Sequence, residues 1–247
     1  MLRSRIIPSL LVDDGDLIKS ENFSNDKYIG DPINAVKIFN EKSVDELAIF
    51  DVGVTLNNSD IDMSLLFDIA KAAKMPLCYG GGVKESAQAT ELVKSGFEKV
   101  SVSSGAIYNP NLLDDMARCI GAQSVVLCLD IARNNSLPCK YSVFTHRGTK
   151  NAELDLLSAL EMAAQARIGE LIINSIDRDG TMAGYDLELV KSVLPNISCP
   201  VTFVGGAGTV AHMNQLISVA GTVGAAAGSM FVYKGINRAV LLNYAKP

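Results

Sequence analysis

The chain has 247 residues, 48% hydrophobic content and a net charge of −5. That length suits one α/β barrel or two smaller domains. The acidic balance excludes the basic field that gathers nucleic acid or anionic lipid, so neither is an expected partner.

At the N-terminus, the apolar run Met1 to Val12 is interrupted by Pro8 and followed by Asp13-Asp14 without a small-residue cleavage site. No signal peptide is expected. Nothing further along has the apolar length of a membrane span. Five cysteines, Cys78, Cys119, Cys128, Cys139 and Cys199, are scattered without paired metal spacing. They read as reduced thiols of a cytoplasmic protein. Only His146 and His212 supply imidazoles, so no histidine-rich metal site is expected, and with no redox cofactor motif no cofactor is expected.

Eight apolar runs follow in order: Arg5 to Leu11, Glu46 to Phe50, Pro76 to Gly80, Lys99 to Ser103, Val125 to Asp130, Glu170 to Asn174, Pro200 to Val204 and Thr222 to Ala227. Short apolar runs separated by helical patterns predict a parallel sheet buried on both faces, and eight strands close a barrel. Between them, Ser86 to Ser95 predicts a helix stopped by Gly96, and Pro110 can open the next one. No linker or charge block divides the chain, so residues 1–247 read as one (β/α)8 TIM-barrel domain.

An internal repeat supports that reading. Gly80-Gly81 and Gly205-Gly206, Gly96 and Gly221, Ser104 and Ser229, and Tyr108 and Tyr233 are each separated by 125 positions. Glu46 and Glu170 differ by 124 and Leu11 and Asp130 by 119, the shortfall lying in unequal loops. A fixed offset across half the chain predicts two half-barrels, about 1–122 and 123–247.

The chemistry-bearing residues cluster at strand ends, where such barrels keep their sites. Gly80-Gly81-Gly82 and Gly205-Gly206-Ala207-Gly208 follow strands three and seven, while Ser103-Ser104-Gly105 and Ala227-Gly228-Ser229 follow strands four and eight. Small side chains there let backbone N–H groups converge on an anion, and two related pairs point to a ligand phosphorylated at both ends. The same glycines also suit tight strand-to-helix turns. Asp51 and Asp130 end strands two and five, and Asp177 and Asp179 lie just beyond strand six. Carboxylates around one opening suit general acid/base work, although Asp177-Arg178-Asp179-Gly180 is also a good turn. Asp130 carries most weight, because an acid ending so apolar a strand is costly without a purpose.

The chain resembles the cyclase subunit of imidazole glycerol phosphate synthase, a glutamine amidotransferase complex of histidine biosynthesis. The residues that carry the resemblance include Arg5-Ile6-Ile7-Pro8, Asp14-Gly15 with Lys19, Gly30-Asp31-Pro32, Asp45-Glu46-Leu47, Gly80 to Gly82, Lys99-Val100-Ser101, Asp130, Ser175 to Thr181, Gly184-Tyr185-Asp186 and Gly205 to Gly208. The resemblance implies a (β/α)8 barrel that receives ammonia from a glutaminase docked at its floor. At the top, such a barrel joins ammonia to a doubly phosphorylated ribonucleotide, closing an imidazole.

Carried over by position, one of the family's two catalytic aspartates matches Asp130, but the other falls on Leu11, which handles no proton. A family asparagine falls on Ser103 and a serine on Val204. Lys19, in the loop after strand one, and Asp51 are kept. At the floor, the charged ring around the ammonia entrance matches Arg5, Glu46, Lys99 and Glu170, with Gln123 beside them. The alternative for that ring is mutual neutralisation of inward charges. The retained floor and the missing acid point to a diverged barrel that still takes ammonia from a glutaminase but serves another acceptor; the resemblance, to a family with relatives beside sugar amidotransferases in surface-polysaccharide synthesis, implies a nucleotide sugar. Two other readings stand: weak cyclase activity in histidine biosynthesis, and a non-catalytic glutaminase activator.

Overall fold

The computed structural model describes residues 3–136 and 140–247. Cys139 lies outside them. Eight strands close the barrel: β1 (Arg5–Asp13), β2 (Leu47–Asp51), β3 (Leu77–Gly80), β4 (Lys99–Val102), β5 (Val125–Arg133), β6 (Glu170–Ser175), β7 (Val201–Val204) and β8 (Gly224–Ala227). Neighbours pair in parallel around the ring, with β8 against β1 and β5 against β6 closing it. The (β/α)8 barrel expected from the sequence is present.

The strand sequences divide into two apolar layers by alternation. In β5, Val125, Leu127 and Leu129 join the outer core under the helices, while Val126 and Cys128 point into the lumen with Ile7, Ala48, Cys78, Ile172, Val204 and Ala226. A strand covered on both sides has no polar face, which is why the run reads as continuously apolar.

The helices follow their punctuation. Ser86–Ser95 opens on a capping box in which Glu85 and Gln88 exchange bonds, and it ends at Gly96 with φ of 116°. Pro110 stands at the N-cap of Asn111–Ile120, one position outside the helix. Among the described residues, no helix is long and apolar enough to cross a membrane.

Two insertions were not expected. After β1, Asp14 and Gly15 adopt positive φ of 49° and 82° and turn the chain into a hairpin, Asp16–Glu21 and Ser24–Gly30, the first arm antiparallel to β1. The Asp-Gly pair is the usual signal for such a two-residue turn. Lys19 therefore lies on a strand rather than in a loop. After β5, a second hairpin, Tyr141–Thr145 and Lys150–Asp155, occupies the equivalent place.

Candidate functional site

Three zones stack along the barrel axis: a charged floor, an apolar lumen and an open pocket at the C-terminal ends of the strands. The floor is built by the first inward residue of its strands. The Arg5 guanidinium donates to Glu46 and to Glu170 (Nη2 to Oε1 2.7 Å), and Lys99 Nζ lies 2.8 Å from a carboxylate oxygen of each. The four charges thus alternate in a closed ring. Thr202, which sequence reading missed, donates its hydroxyl to Glu170. The two carboxylates are nearly inaccessible, with side chains 5% and 4% exposed. Burial opposes ionisation of Glu170, but Arg5 and Lys99 outweigh it and hold its pKa below the ordinary value. Gln123 is exposed and donates to the Ile120 carbonyl at 3.4 Å.

Above the ring lies the lumen layer of Ile7, Ala48, Cys78, Val126, Ile172 and Ala226. It encloses a cavity of about 10 Å³ that reaches from Glu46, Glu170 and Thr202 up to Phe50 and Val204.

The top pocket has a volume of about 440 Å³ and gathers most of the expected residues: Leu11, Lys19, Asp51, Gly81, Gly82, Ser103, Ser104, Asp130, Asp179 and Gly228 all line it. Asn174, missed from the sequence, donates from Nδ2 to Asp130 Oδ1 at 2.9 Å; its own carbonyl oxygen is buried without a partner. Burial pushes the Asp130 carboxyl up to about 6; the Asn174 bond lowers it and the charge of Asp179 adds to the rise. An acid tuned into that range can exchange protons near neutrality.

Leu11 stands on β1, four strands from Asp130 in either direction and so across the barrel. It pairs in register with Phe50. Among the described residues no other acid takes its place: Asp13 is turned toward Gly53, where an added Cβ would lie 2.1 Å from Asp13 Oδ1. Asp51 accepts from the backbone N–H groups of Gly53 and Val54 at 3.1 and 3.2 Å, fixing the turn after β2, and burial raises its pKa.

The Asp177-Arg178-Asp179-Gly180 turn separates its two acids. Asp177 is exposed and accepts from the Arg133 backbone N–H at 2.8 Å. Asp179 faces inward, accepting from Lys19 Nζ at 3.0 Å and Ser20 Oγ at 3.1 Å. Lys19 is only 3% exposed and crosses over Gly228, where an added Cβ would meet its Cε at 3.0 Å.

At the two glycine turns, steric need is plain. A Cβ on Gly81 would lie 2.4 Å from the Asp51 carbonyl, and one on Gly82 2.1 Å from Val54 Cγ1. On the other half, a Cβ on Gly206 would lie 2.2 Å from the Gly184 carbonyl. Gly205, Gly206 and Ser229 are buried and do not line the pocket; Gly205 and Gly206 pack against Ser175, Arg178 and Gly184, at the end of β6 and in the loop that follows it. Yet the hydroxyls of Ser103 and Ser229, one at each small-residue turn, are both buried without a partner. Unsatisfied buried hydroxyls of this kind are uncommon in folded proteins.

Both hairpins roof the pocket. Phe23 and Arg147 line it from the two tips, which are joined by an Arg147–Asp26 ion pair. His146 packs edge-on against Tyr108, with ring centroids 6.0 Å apart, and its backbone N–H donates to Ser104 Oγ at 3.4 Å. No periodic pattern flags these residues, because they converge only through the hairpins.

Comparison with known proteins agrees with this architecture. The family model described as histidine biosynthesis protein matches residues 5–237. A protein of Leptospira borgpetersenii is 45% identical, the match covering 99% of this chain and 96% of its own length, and one of Vibrio vulnificus is 44% identical, covering 100% and 95%. Both bear the name imidazole glycerol phosphate synthase subunit only provisionally, as HisF and hisF3. A relative from Corynebacterium urealyticum, named without reservation as imidazole glycerol phosphate synthase subunit HisF, is 37% identical over 92% of this chain and 89% of its own length. With its closed eight-strand barrel and a match running along nearly its whole length, the chain belongs to the histidine biosynthesis protein family, among its HisF members.

Proposed function

We propose that this protein is the barrel subunit of a glutamine amidotransferase complex: a HisH-like glutaminase docks at the floor, and ammonia passes through the lumen to an acceptor held in the top pocket. The acceptor differs from the histidine precursor and is a nucleotide sugar of surface polysaccharide synthesis, amidated with the help of a third, sugar-specific protein. One observation carries the reading. The floor ring is complete, with every charge paired and facing inward, whereas the mouth offers Asp130 opposed by Leu11.

The remaining residues fit that division. Ser103 with Gly82, and Gly228 at the turn before Ser229, would take the two phosphates of a ligand; Lys19 and Asp179 would close over it. Asp130, held by Asn174, serves as a lone general acid or base. Arg5, Glu46, Lys99 and Glu170 form the gate. The test combines the protein with its glutaminase and amidotransferase partners and measures glutamine-dependent amidation of a nucleotide sugar. Cyclase turnover by the purified barrel at the ordinary family rate, with ammonium salt as nitrogen source, would overturn the reading.

A further inference from the structure

The lumen cavity and the top pocket are separate spaces, and their linings have two residues in common, Phe50 and Val204. Val204 ends β7 and Phe50 stands one position before the end of β2. The Phe50 ring is seated on Gly80, where an added Cβ would lie 2.8 Å from Phe50 Cδ1. Phe50 pairs in register with Leu11 on the neighbouring β1. The two lumen thiols fall on either side of this layer: Cys78 lines the lower cavity and Cys128 the upper pocket.

A cavity of about 10 Å³ holds at most about one water-sized molecule, and such a molecule needs polar partners to remain there. Above Glu46, Glu170 and Thr202, the walls offer only Ile7, Ala48, Phe50, Cys78, Ile172, Val204 and Ala226. Stripping the shell from an ammonium ion in these surroundings costs several kcal/mol, while a small neutral molecule escapes that penalty.

We propose that Phe50 and Val204 form an inner constriction of the conduit, which passes neutral ammonia and holds back water and ammonium, and that rotation of the Phe50 ring opens it. This rests on the proposed function, since it supposes a solute travelling from floor to pocket.

The constriction can be tested without any acceptor. In protein carrying Cys119→Ser, Cys139→Ser and Cys199→Ser, methylmercury chloride is added and modification of the two remaining cysteines is followed by peptide mass mapping. In the otherwise native barrel Cys128 reacts first and Cys78 lags. Phe50→Ala accelerates Cys78 by about tenfold or more while Cys128 changes little, the selectivity that separates a local opening from global unfolding. Val204→Ala gives the same pattern with a smaller gain, and decides the matter if Phe50→Ala unfolds. Cys78 reacting as fast as Cys128 in the native barrel, or no selective gain in either variant, overturns the constriction. Loss of the amidotransferase reading would leave this labelling pattern untouched, so the two failures are distinguishable.

Discussion

Asn174 Nδ2 donates to Asp130 Oδ1 at 2.9 Å, joining the ends of β6 and β5 at the point where Asp130 faces Leu11 across the pocket. Among the described residues, the bond fixes the one pocket acid that has neither a lysine nor a backbone turn to hold. It explains how one carboxylate can remain poised at the mouth of an apolar lumen.

Asp130 therefore has a definite signature in pH. Its folded pKa of about 6 exceeds the ordinary 3.8, so the folded state binds more protons than the unfolded one between those values, and this group's contribution to stability falls as pH rises through that window. Asp130→Asn removes the penalty and raises stability at pH 7 by about 2–3 kcal/mol, a figure that follows from the size of the shift. Asn174→Leu moves the Asp130 midpoint upward, since the bond it removes favours the charged form. Carboxyl ¹³C titration by NMR checks both; a midpoint near 4 would contradict the account.

Restoring the second acid is the sharpest change at the top. Leu11→Asp should raise cyclase turnover with the doubly phosphorylated ribonucleotide and ammonium by roughly 10²-fold or more, the scale of a general acid/base contribution. It should also lower the melting temperature, because the new carboxylate lies beside Phe50. No gain in turnover would mean that the mouth has diverged beyond position 11.

The floor ring responds differently. Lys99→Met leaves Glu46 and Glu170 sharing one cation, and removing one partner of such a buried cluster costs about 3–5 kcal/mol. Chemical denaturation measures it. Glu170 adds a pH signature opposite to that of Asp130. Its folded pKa is lowered, so its stabilisation is present above pH 4.5 and is lost as pH falls through the folded value.

Ser103→Ala and Ser229→Ala separate folding from binding. Each removes a buried hydroxyl that has no partner, so stability should be unchanged or should rise by up to about 1 kcal/mol. Affinity for a bis-phosphorylated ligand should fall by about tenfold in Ser103→Ala, equivalent to one hydrogen bond of about 1.4 kcal/mol, and change little in Ser229→Ala, which lies outside the pocket lining. Calorimetry reads both. Unchanged affinity in Ser103→Ala would leave the glycine turns with a packing role alone.

Much of this was legible in the residues. The eight strands declared themselves because each is buried on both faces; the floor ring was legible through the family resemblance, which Arg5, Glu46, Lys99 and Glu170 match at the starts of four of those runs. The hairpins did not. Their arms are short and partly polar, as in Ser24–Gly30, all but two of whose residues are exposed, so no periodicity marks them; only Asp14-Gly15 gave a local sign. Asn174, Thr202, His146 and Arg147 were hidden for a related reason. Each acquires its place from a partner at least 32 positions away in sequence or from a hairpin tip, and nothing local distinguishes it.

The central claim is that the nitrogen conduit is maintained while the chemistry above it has changed. The most direct measurement supplies the full complex with [amide-¹⁵N]glutamine and, in competition, a nucleotide sugar and the doubly phosphorylated ribonucleotide, and locates the label by mass spectrometry. The account predicts ¹⁵N in an amidated sugar and almost none in an imidazole ring. Label entering the imidazole at the ordinary family rate would contradict it.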